Sequence, residues 1–396
     1  MAVPEKSAMF IGLWKSYLRR DKGLSLGLIC LAALSVAPAK ADPFELYSHP
    51  DGTAAHLKMK VDLAESPPPK FGPNYTWITE QNQPGAEYVR LYFTDIAAQT
   101  TDFTLSFYDA AGSLVEAVSG TDFSDRTDYT SLMIPGDYVQ VRLTAVEPPQ
   151  VRFTLDQLLF QQDAARPESI TPPYQLEHVR AYRNHPVISK ASPSVAKLIF
   201  TKDGKPHNCT GFLIANDLLM TNHHCVPTAD ICRTTVAVFG YEYDAERRLQ
   251  NGQQYRCASV KASNRPYDFA VLELKASQSL GSAPGRKAGE DWGVLPIEGT
   301  DPQSGQDLII IQHPSGYPKL VSVQDCNVVE PVADGRAEGS DFSHLCDTYG
   351  GSSGSPILNA EGRVVGLHHF GFAEGPYWNS NRAVRISKIR EIYTFP

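Results

Sequence analysis

The sequence predicts an all-β protein in two parts, a β-sandwich followed by a second half that is also rich in strands. Short runs alternate apolar with polar residues, as in Phe103, Leu105 and Phe107, and this is the pattern of half-buried strands. Glycine and proline, at 29 residues each, are spread between these runs and supply turns. All cysteines but one lie between Cys209 and Cys346, which sets the second half apart from the first.

Residues 1–41 resemble an export signal rather than part of a folded domain. Basic residues precede the apolar run "LSLGLICLAALSV", and Ala39 and Ala41 are the small residues that a cleavage site needs. The apolar run is too short to cross a bilayer comfortably. We therefore expect cleavage after Ala41, with an uncleaved anchor or a start at Met9 as the alternatives.

The chain expected after cleavage is acidic. Residues 1–41 hold six Lys or Arg and two Asp or Glu residues, so their removal takes the formal net charge from −8 to −12. An acidic chain without a basic stripe is a poor candidate for binding nucleic acid, and no second apolar segment is long enough for a membrane. We predict a secreted or periplasmic protein with no stable membrane insertion once the signal is removed. The remaining cysteines, even in number, suggest disulfide bonds; they are Cys209, Cys225, Cys232, Cys257, Cys326 and Cys346.

The β-sandwich is predicted over residues 42–165. The runs "EYVRLYF", "DFTLSFYDAAGSLVEAV", "DYVQVRLTAV" and "VRFTLDQLLF" alternate with a period of two, and turn candidates lie between them. This region holds no cysteine and no tight cluster of titratable groups. It is therefore either a folding module or a module that binds a surface or a protein ligand.

A proline-rich stretch, "RPESITPPYQLEHV", predicts an extended linker over residues 166–187. Residues 188–396 again consist of short apolar runs such as "SVAKLIF" and "DLIIIQHP". Only the final "ISKIREIY" has helical spacing, with Ile386, Ile389 and Ile392 on one side. The second half is therefore predicted to be an all-β domain with a short C-terminal helix.

Two stretches of the second half carry candidates for a base and its partner. "LLMTNHHCV" ends an apolar strand with His223, His224 and Cys225, and a strand end holds a histidine rigidly at a cleft. A surface turn and a zinc site are the alternatives, although zinc lacks a second ligand pair at the usual spacing. A bond from Cys225 to Cys209 would fix the loop and add roughly 3 kcal/mol in the chain-entropy model. "RPYDFAVLEL" places Asp268 before a strand, either as a turn residue or as the carboxylate that fixes a histidine tautomer.

The stretch "DTYGGSSGSP" surrounds Ser353 with glycines. A serine hydroxyl becomes a nucleophile when a base takes its proton, and the oxyanion that develops needs backbone N–H donors. Glycines let the backbone turn so that such donors converge, and we expect them to be the N–H groups of Gly351 and Ser353. The local order G-S-S-G-S and the chain order His, Asp, Ser both differ from the α/β-hydrolase pattern.

Together, "TNHHCV", "YDFAVLEL" and "GSSGSP" resemble the histidine, aspartate and serine boxes of the trypsin-like, chymotrypsin-fold serine peptidases. The resemblance covers about residues 188–396. It is strongest to the bacterial branch that includes the glutamyl endopeptidases, which share "GxSGSP", a "GLH" strand and an "NRAVRIS"-type segment. It implies two six-stranded β-barrels, at roughly residues 188–280 and 290–380, with the site in the cleft between them. The first half loosely resembles the pre-peptidase or CUB-like sandwiches that accompany secreted peptidases.

The resemblance also implies a role for each box residue. His224 would be the general base, Asp268 would orient it and Ser353 would attack, while His223 would be a flanking residue. His313, in "IIIQHPSGYPK", is then expected to be a turn residue. We expect disulfides between Cys209 and Cys225, Cys326 and Cys346, and Cys232 and Cys257, although the sequence alone does not choose among the possible pairings.

The residues expected to form the specificity pocket give opposite indications. Thr348 and His368 match the positions at which the glutamyl branch binds a substrate carboxylate, whereas Asp347 matches the acid that selects Lys or Arg in trypsin-like members. His369 and Phe370 are expected to line the substrate strand. The sequence leans slightly toward acidic substrates.

Ser352 is a departure from the digestive members, in which an Asp at this position binds a newly cut N-terminus. A serine hydroxyl forms no such ion pair. We therefore predict a site that forms without this activation step. Activity that appeared only after cleavage just ahead of Val187 or Val195 would contradict that prediction.

The function predicted from these observations is that of a secreted serine endopeptidase acting on polypeptides. The mechanism uses His224, Asp268 and Ser353 and needs no metal or organic cofactor. One alternative is a catalytically silent protein with a protease fold that binds a partner or surface. Another is an esterase with the same triad, because both reactions are acyl transfer.

Overall fold

The computed structural model describes residues 53–161, 175–276, 285–371 and 380–396, together with the backbone of residues 167–169. The predicted export signal, residues 1–41, lies outside the described residues, as do parts of the predicted linker. No helix within the described part of the chain is long and apolar enough to cross a membrane.

The first half forms two five-stranded sheets. One sheet has the order β1-β10-β4-β7 with β8 paired to β4, and the other has the order β2-β3-β9-β5-β6. All pairs within both sheets are antiparallel. The strands are β1 Thr53–Asp62, β2 Lys70–Phe71, β3 Asn74–Asn82, β4 Tyr88–Ala98, β5 Phe103–Tyr108, β6 Leu114–Ser119, β7 Tyr129–Thr130, β8 Ile134–Pro135, β9 Tyr138–Ala145 and β10 Val151–Phe160.

The two sheets share one hydrophobic core, as expected for a sandwich. Phe107 and Val141 are fully buried, in agreement with the predicted alternation. Aromatic rings meet across the interface: the Phe93 and Phe107 centroids are 6.0 Å apart, and those of Trp77 and Phe153 are 5.4 Å apart. Both pairs are edge-to-face, which is a favourable arrangement of ring quadrupoles.

Part of the predicted linker forms strands rather than a free extended segment. β11 (Pro167–Ser169) pairs with β22 (Thr348–Tyr349), and β12 (Glu177–His178) pairs with β20 (Leu320–Ser322). The linker is thus hydrogen-bonded to the second half through its backbone at both points.

The second half begins with a closed six-stranded barrel of order β13-β14-β15-β18-β17-β16. Side chains along each barrel strand point alternately into and out of the barrel, and each short apolar run of the sequence corresponds to one such strand. The strands are β13 Val195–Lys202, β14 Lys205–Leu213, β15 Leu218–Thr221, β16 Val236–Tyr243, β17 Leu249–Asn264 and β18 Phe269–Leu274.

The third sheet closes into a second barrel through backbone contacts outside its named strands. Its strand order is β12-β20-β19-β23-β24-β25-β21. The segment 326–330, which follows β20, joins β21 to the stretch before β19, because Leu308 N–H donates to Cys326 O while Val329 N–H donates to Ser343 O. The strands not yet given are β19 Ile309–Gln312, β21 Asp341–His344, β23 Pro356–Leu358, β24 Val364–Phe370 and β25 Asn381–Arg385.

Apolar residues of both barrels pack into one cluster between them, including Phe212 and Phe269 from the first and Leu358 and Leu367 from the second. Four short helices surround this architecture: α1 Ile188–Ala191, α2 Ala229–Thr234, α3 Ala288–Trp292 and α4 Ile386–Arg390. The sequence predicted only the last of them. Ile386 and Ile389 are buried as expected, but Ile392 is 54% exposed, because α4 ends at Arg390, two residues before it.

The sandwich contacts the first barrel through both apolar and charged groups. Tyr88 and Met133 of the sandwich share a buried cluster with Ile199 and Val238 of the barrel. Arg90, 1% exposed, donates from Nη2 to the Thr234 carbonyl at 3.0 Å. The sandwich is therefore packed on the barrel rather than tethered to it.

Candidate active site

His224 lies in the turn that follows β15, and its ring contacts Asp268. The distance from His224 Nδ1 to Asp268 Oδ2 is 2.8 Å, and the His224 backbone N–H donates to Asp268 Oδ1 at 2.9 Å. The Asn222 side chain donates to the Asp268 carbonyl at 2.9 Å. Both carboxylate oxygens of Asp268 thus accept hydrogen bonds from His224. These bonds hold the ring with Nδ1 toward Asp268, so that Nε2 does not face this carboxylate.

Asp268 is fully buried and has φ of +39°, in the left-handed region that residues other than glycine seldom adopt. Burial by itself would raise the pKa of this carboxyl. The charge and hydrogen bond of His224, followed by those of His369, outweigh that effect and hold its pKa well below the usual range. Asp268 is therefore a carboxylate at neutral pH. The Arg336 guanidinium adds to this, since its Nε is 3.4 Å from Asp268 Oδ2.

Two glycines beside Ser353 adopt the left-handed backbone conformation. Gly351 and Gly354 have φ of +95° and +86°. The Gly350 carbonyl accepts from Ser315 N–H, and the N–H across a trans peptide points the opposite way from its carbonyl. Among the described residues, neither Gly351 N–H nor Ser353 N–H has an acceptor, so both donors are available to a substrate.

The Ser353 side chain is 4% exposed, and its hydroxyl donates to the His369 carbonyl at 3.5 Å. Within the described chain, no hydrogen bond joins this hydroxyl to His224. The two loops are nevertheless neighbours, because Thr210 N–H donates to the Ser353 carbonyl and Thr221, at the start of the histidine turn, donates to the Thr210 carbonyl.

Ser352 is buried and serves the turn before the nucleophile. Its hydroxyl accepts from Tyr349 N–H at 3.1 Å, and its carbonyl accepts from the Ser355 hydroxyl at 2.5 Å. The loop is held by neutral hydrogen bonds at the position where an aspartate would need a charged partner.

Asp347 and Thr348 are both buried beside the serine loop. Gln175 N–H donates to Asp347 Oδ2 at 3.0 Å, so the linker supplies one partner of this carboxylate. The Thr348 hydroxyl donates to Asn381 Oδ1 at 3.0 Å. Asn381, the first residue of the "NRAVRIS" segment, also donates to the Cys346 carbonyl at 2.5 Å and is 1% exposed.

His368, His369 and Phe370 end β24, and all three are buried. His368 Nδ1 is 3.3 Å from His344 Nε2, and burial lowers the pKa of both rings, to about 3 for His344 and well below the usual value for His368. Phe370 stacks on His224 with centroids 6.1 Å apart. The sequence led us to expect that His369 lines the substrate strand. Its ring is instead turned inward, between Asp268 and Asp341.

The remaining histidines of the sequence motifs have partners of their own. His223 Nδ1 lies 2.7 Å from the Ser263 hydroxyl. His313 Nδ1 donates to the Tyr317 carbonyl at 3.0 Å, and burial lowers its pKa well below the usual value. Neither of these rings contacts Asp268.

The structure contains three disulfides, between Cys209 and Cys225, Cys232 and Cys257, and Cys326 and Cys346. They match the pairs expected from the sequence. The first joins β14 to the histidine turn. Because it uses both sulfurs near His224, the group of Cys209, His224 and Cys225 offers no thiolate to a metal.

Comparison with known proteins identifies the second half. Residues 209–367 match the family described as the trypsin-like peptidase domain. The chain is 31% identical over 169 residues to the uncharacterized protein y4fB of Sinorhizobium fredii. This alignment covers 41% of this chain and 25% of that protein. It is 25% identical over 292 residues to a lysyl endopeptidase of Pseudomonas aeruginosa, which covers 66% of this chain and 60% of that protein.

The chain also resembles solved structures at lower sequence identity. The crystal structure of the Rv3671c protease from M. tuberculosis in its active form covers 58% of this chain and 89% of that one, with a TM-score of 0.38 and 17% identity. The chain spans between 25% and 60% of the length of these two curated relatives. The match over residues 209–367 confirms the trypsin-like peptidase domain that the three sequence boxes led us to expect.

Proposed function

We propose that this chain, which carries a trypsin-like peptidase domain, is a serine endopeptidase acting through His224, Asp268 and Ser353. The observation that carries the proposal is the two-point contact of Asp268 with His224, the 2.8 Å ring contact and the 2.9 Å backbone contact. It leaves His224 Nε2 as the free nitrogen of a ring whose orientation is fixed. Such a ring is what a general base for a serine hydroxyl requires.

The proposed reaction gives each of these groups one role. His224 Nε2 takes the proton of the Ser353 hydroxyl as Oγ forms a bond to the carbonyl carbon of the substrate. The carbonyl oxygen becomes an oxyanion that accepts from Gly351 N–H and Ser353 N–H. His224 then gives its proton to the leaving amine as the peptide C–N bond breaks. Water, deprotonated in turn by His224, releases the acyl group from Ser353.

Asp268 stabilises the imidazolium that forms on His224 in each half of the reaction. It remains a carboxylate throughout, because its pKa lies well below the usual range. The Ser353 hydroxyl, now donating toward the His369 carbonyl, must rotate to His224 when substrate binds. Catalytic hydrogen bonds are often long before substrate is present, so this arrangement is compatible with the proposal.

Acidic side chains are the proposed substrate preference at the position before the cleaved bond. His368 Nε2 is buried without a partner among the described residues, so it remains available for a carboxylate of the substrate. Asp347 already accepts from Gln175 N–H, which favours a structural use of its charge. A basic preference is the second candidate, because Asp347 is buried beside the pocket loop and one relative is named as a lysyl endopeptidase.

A peptide library separates these preferences. Cleavage after Glu or Asp, weakened by His368→Gln, supports the acidic preference. Strong cleavage after Lys or Arg, lost in Asp347→Asn, would replace it with the basic one.

We place the protein outside the cytoplasm, in the periplasm or the medium. The three disulfides are typical of an oxidising compartment, and one relative is named as a secreted effector protein. The signal predicted over residues 1–41 supports the same location. Fractionation of cells that express the full chain, with N-terminal sequencing of the mature protein, tests both points.

An active-site label tests the activity itself. The full chain should react with a fluorophosphonate, and Ser353→Ala should not; its turnover of peptides should fall about 10⁶-fold. Equal labelling of both proteins would remove Ser353 from the proposed role. Labelling accompanied by hydrolysis of simple esters and not of any peptide would favour an esterase, and no labelling at all would favour a silent binding protein.

A further inference from the structure

His369 joins two buried carboxylates. Its Nδ1 is 3.2 Å from Asp268 Oδ2, and its Nε2 is 2.5 Å from Asp341 Oδ2. The three side chains are at most 1% exposed. Water does not separate these groups, so each contact must be read as a direct hydrogen bond.

The contacts determine the protonation of the ring. A carboxylate oxygen only accepts, so each ring nitrogen that faces one has to carry a proton. His369 meets a carboxylate at both nitrogens and is therefore an imidazolium, a cation between two anions. A neutral ring would keep one proton and turn a lone pair toward the other carboxylate.

Asp341 is held in place from its other side. It lies at the start of β21, where its Oδ1 accepts from the Ser340 hydroxyl at 2.6 Å. Gly335 packs directly against the carboxylate, and a Cβ at that position would overlap it. Asp341 therefore has little freedom to move away from His369.

Asp268 Oδ2 accepts hydrogen bonds from two histidine rings and lies within ion-pair distance of an arginine. His224 Nδ1, His369 Nδ1 and Arg336 Nε lie 2.8, 3.2 and 3.4 Å from its Oδ2. The Arg336 guanidinium also lies 4.8 Å from the centre of the Phe370 ring, which itself stacks on His224. Two cations thus balance two buried carboxylates beside the histidine.

We propose that His369, as an imidazolium between Asp268 and Asp341, is a positioning residue that fixes the Asp268 carboxylate toward His224. The proposal rests on the proposed function of the same site and extends it by two residues, His369 and Asp341. Neither touches the substrate bond; both act through Asp268.

The pKa of His369 agrees with this role. Burial opposes its charged form, but the Asp341 and Asp268 carboxylates outweigh burial and raise the pKa above the usual value. As pH rises through that raised pKa, the ring loses one of its two hydrogen bonds and Asp268 loses its support. The charged and titratable groups packed around His369 are Asp268, Asp341, His224, His344, His368, Arg336 and Arg382.

Nitrogen-15 NMR of the full chain, labelled at histidine, tests the protonation state without reference to activity. The His369 ring, assigned by loss of its signals in His369→Gln, should show protons on both nitrogens at pH 7. In Asp341→Asn it should show one. A single ring proton on His369 of the unsubstituted protein at pH 7 would overturn the proposal, whether or not Asp341→Asn folds.

Kinetics test the positioning role. Asp341→Asn should lower kcat about tenfold or more at pH 8, because one charge-assisted hydrogen bond to the imidazolium is lost, and should leave KM within about twofold. The alkaline decline of kcat/KM should begin at lower pH in this variant. His369→Gln, which has no titrating proton, should have a low kcat without that decline.

Asp230→Asn is the control, because Asp230 is an exposed carboxylate paired only with Arg233. Fluorophosphonate titration gives the folded, reactive fraction of every variant. If the unsubstituted protein fails to react, the proposed function fails, and the NMR result still decides the state of His369. If all variants react and share one pH profile, the activity is real and the positioning role is wrong.

Discussion

Asp268 is the residue on which the geometry of the site depends. Its left-handed φ and complete burial both cost free energy, and such a conformation persists only where its surroundings hold it. The backbone and ring of His224 supply two of those contacts, and Asn222 supplies a third through the Asp268 carbonyl. The unfavourable backbone conformation and burial of Asp268 thus occur at the residue whose fixed carboxylate orients His224.

Replacing this carboxylate should therefore remove most catalysis and little structure. Asp268→Asn is expected to lower kcat about 10⁴-fold at neutral pH, because an amide nitrogen facing His224 Nδ1 favours the tautomer with Nε2 protonated. Steady-state kinetics on a peptide substrate measures the effect, with Asp230→Asn as the control of equal chemistry on the surface. A loss of less than tenfold would show that the carboxylate does not set the tautomer.

Gly351 is the second residue whose identity the site requires. At φ of +95° a side chain is strained, and a Cβ would lie 2.9 Å from both the His313 carbonyl oxygen and Ser315 N. We expect Gly351→Ala to shift the N–H that faces the oxyanion and to lower kcat by about 10²-fold or more.

Gly136→Ala separates strain from displacement. Gly136 has φ of +84° but nothing within 4 Å of a Cβ, so this variant should lose stability and keep its kcat. Equal kcat values for both alanine variants would contradict an oxyanion role for Gly351. The free energies of unfolding, measured with denaturant, should fall in both.

At this scale the sequence was informative where one local motif carried the chemistry. In each of the three boxes the candidate residue is flanked by a predicted strand end or by glycines. His224, Asp268 and Ser353 could therefore be proposed from their immediate sequence neighbours. Asp341 and Arg336 were missed, because each lies in an ordinary segment and reaches the site only through tertiary pairing. Asn381 stood in the quoted "NRAVRIS" segment, but no role was assigned to it. A buried carboxylate such as Asp341 has no sequence signal apart from standing in an apolar strand.

At the scale of elements, the strands were predictable and the short helices were not. A period of two can be recognised in as few as six residues, as in β5. In contrast, α1, α2 and α3 have four to six residues and complete at most two turns, which is too short for a helical period to be recognised. The end of α4 was also missed, because the spacing of Ile392 continues a helical pattern that the backbone abandons at Arg390. The linker strands escaped prediction because their pairing partners lie more than a hundred residues away.

The contact between β6 and β17 carries a buried ion pair. Arg256 Nη2 is 2.5 Å from Glu116 Oε1, and the Tyr129 hydroxyl and Leu132 N–H donate to the same carboxylate. Burial would lower the pKa of Arg256, but Glu116 outweighs it and raises that pKa. Glu116 of the sandwich and Arg256 of the first barrel thus neutralise each other, and without its partner each would be a buried, unpaired charge.

Removing one partner should leave the other charge without compensation. Glu116→Ala is expected to lower the free energy of unfolding by about 3–5 kcal/mol. The exposed pair of Arg233 and Asp230 is the comparison, and Arg233→Ala should cost less than about 1 kcal/mol. Denaturant unfolding of both variants measures the difference, and similar small losses would mean that the interface does not depend on this pair.

At the scale of the whole molecule, the sandwich and the barrels form a structure that the predicted boundaries did not anticipate. The sequence divided the chain at a proline-rich stretch, and composition gives no signal for an interface formed later in three dimensions. Arg90, Glu116 and Tyr88 all belong to the sandwich, yet each has partners in the first barrel. The closed six-stranded barrel at the start of the second half was anticipated from the family resemblance.

Buried neutral histidines give the molecule an acid-sensitive fold. His313, His344 and His368 are fully buried, and burial is the largest cause of the lowered pKa of each. In the unfolded chain the same rings titrate near pH 6.5. The unfolded state therefore binds up to three more protons, and stability should fall as pH drops below that value, at a rate that approaches roughly 4 kcal/mol per pH unit.

The sign is opposite for His369, whose raised pKa contributes stability that is complete below about pH 6.5 and lost as pH rises through the folded pKa. The two effects together predict maximal stability close to neutral pH. Thermal unfolding between pH 5 and pH 8 measures the acid limb, and His344→Gln should reduce its slope by about a third, because one of the three titrating rings is gone. His56→Gln, at an exposed position, should leave the slope unchanged. An acid limb with the same slope in all three proteins would mean that these histidines stay unprotonated in the unfolded chain or become protonated within the fold, and the burial argument would fail.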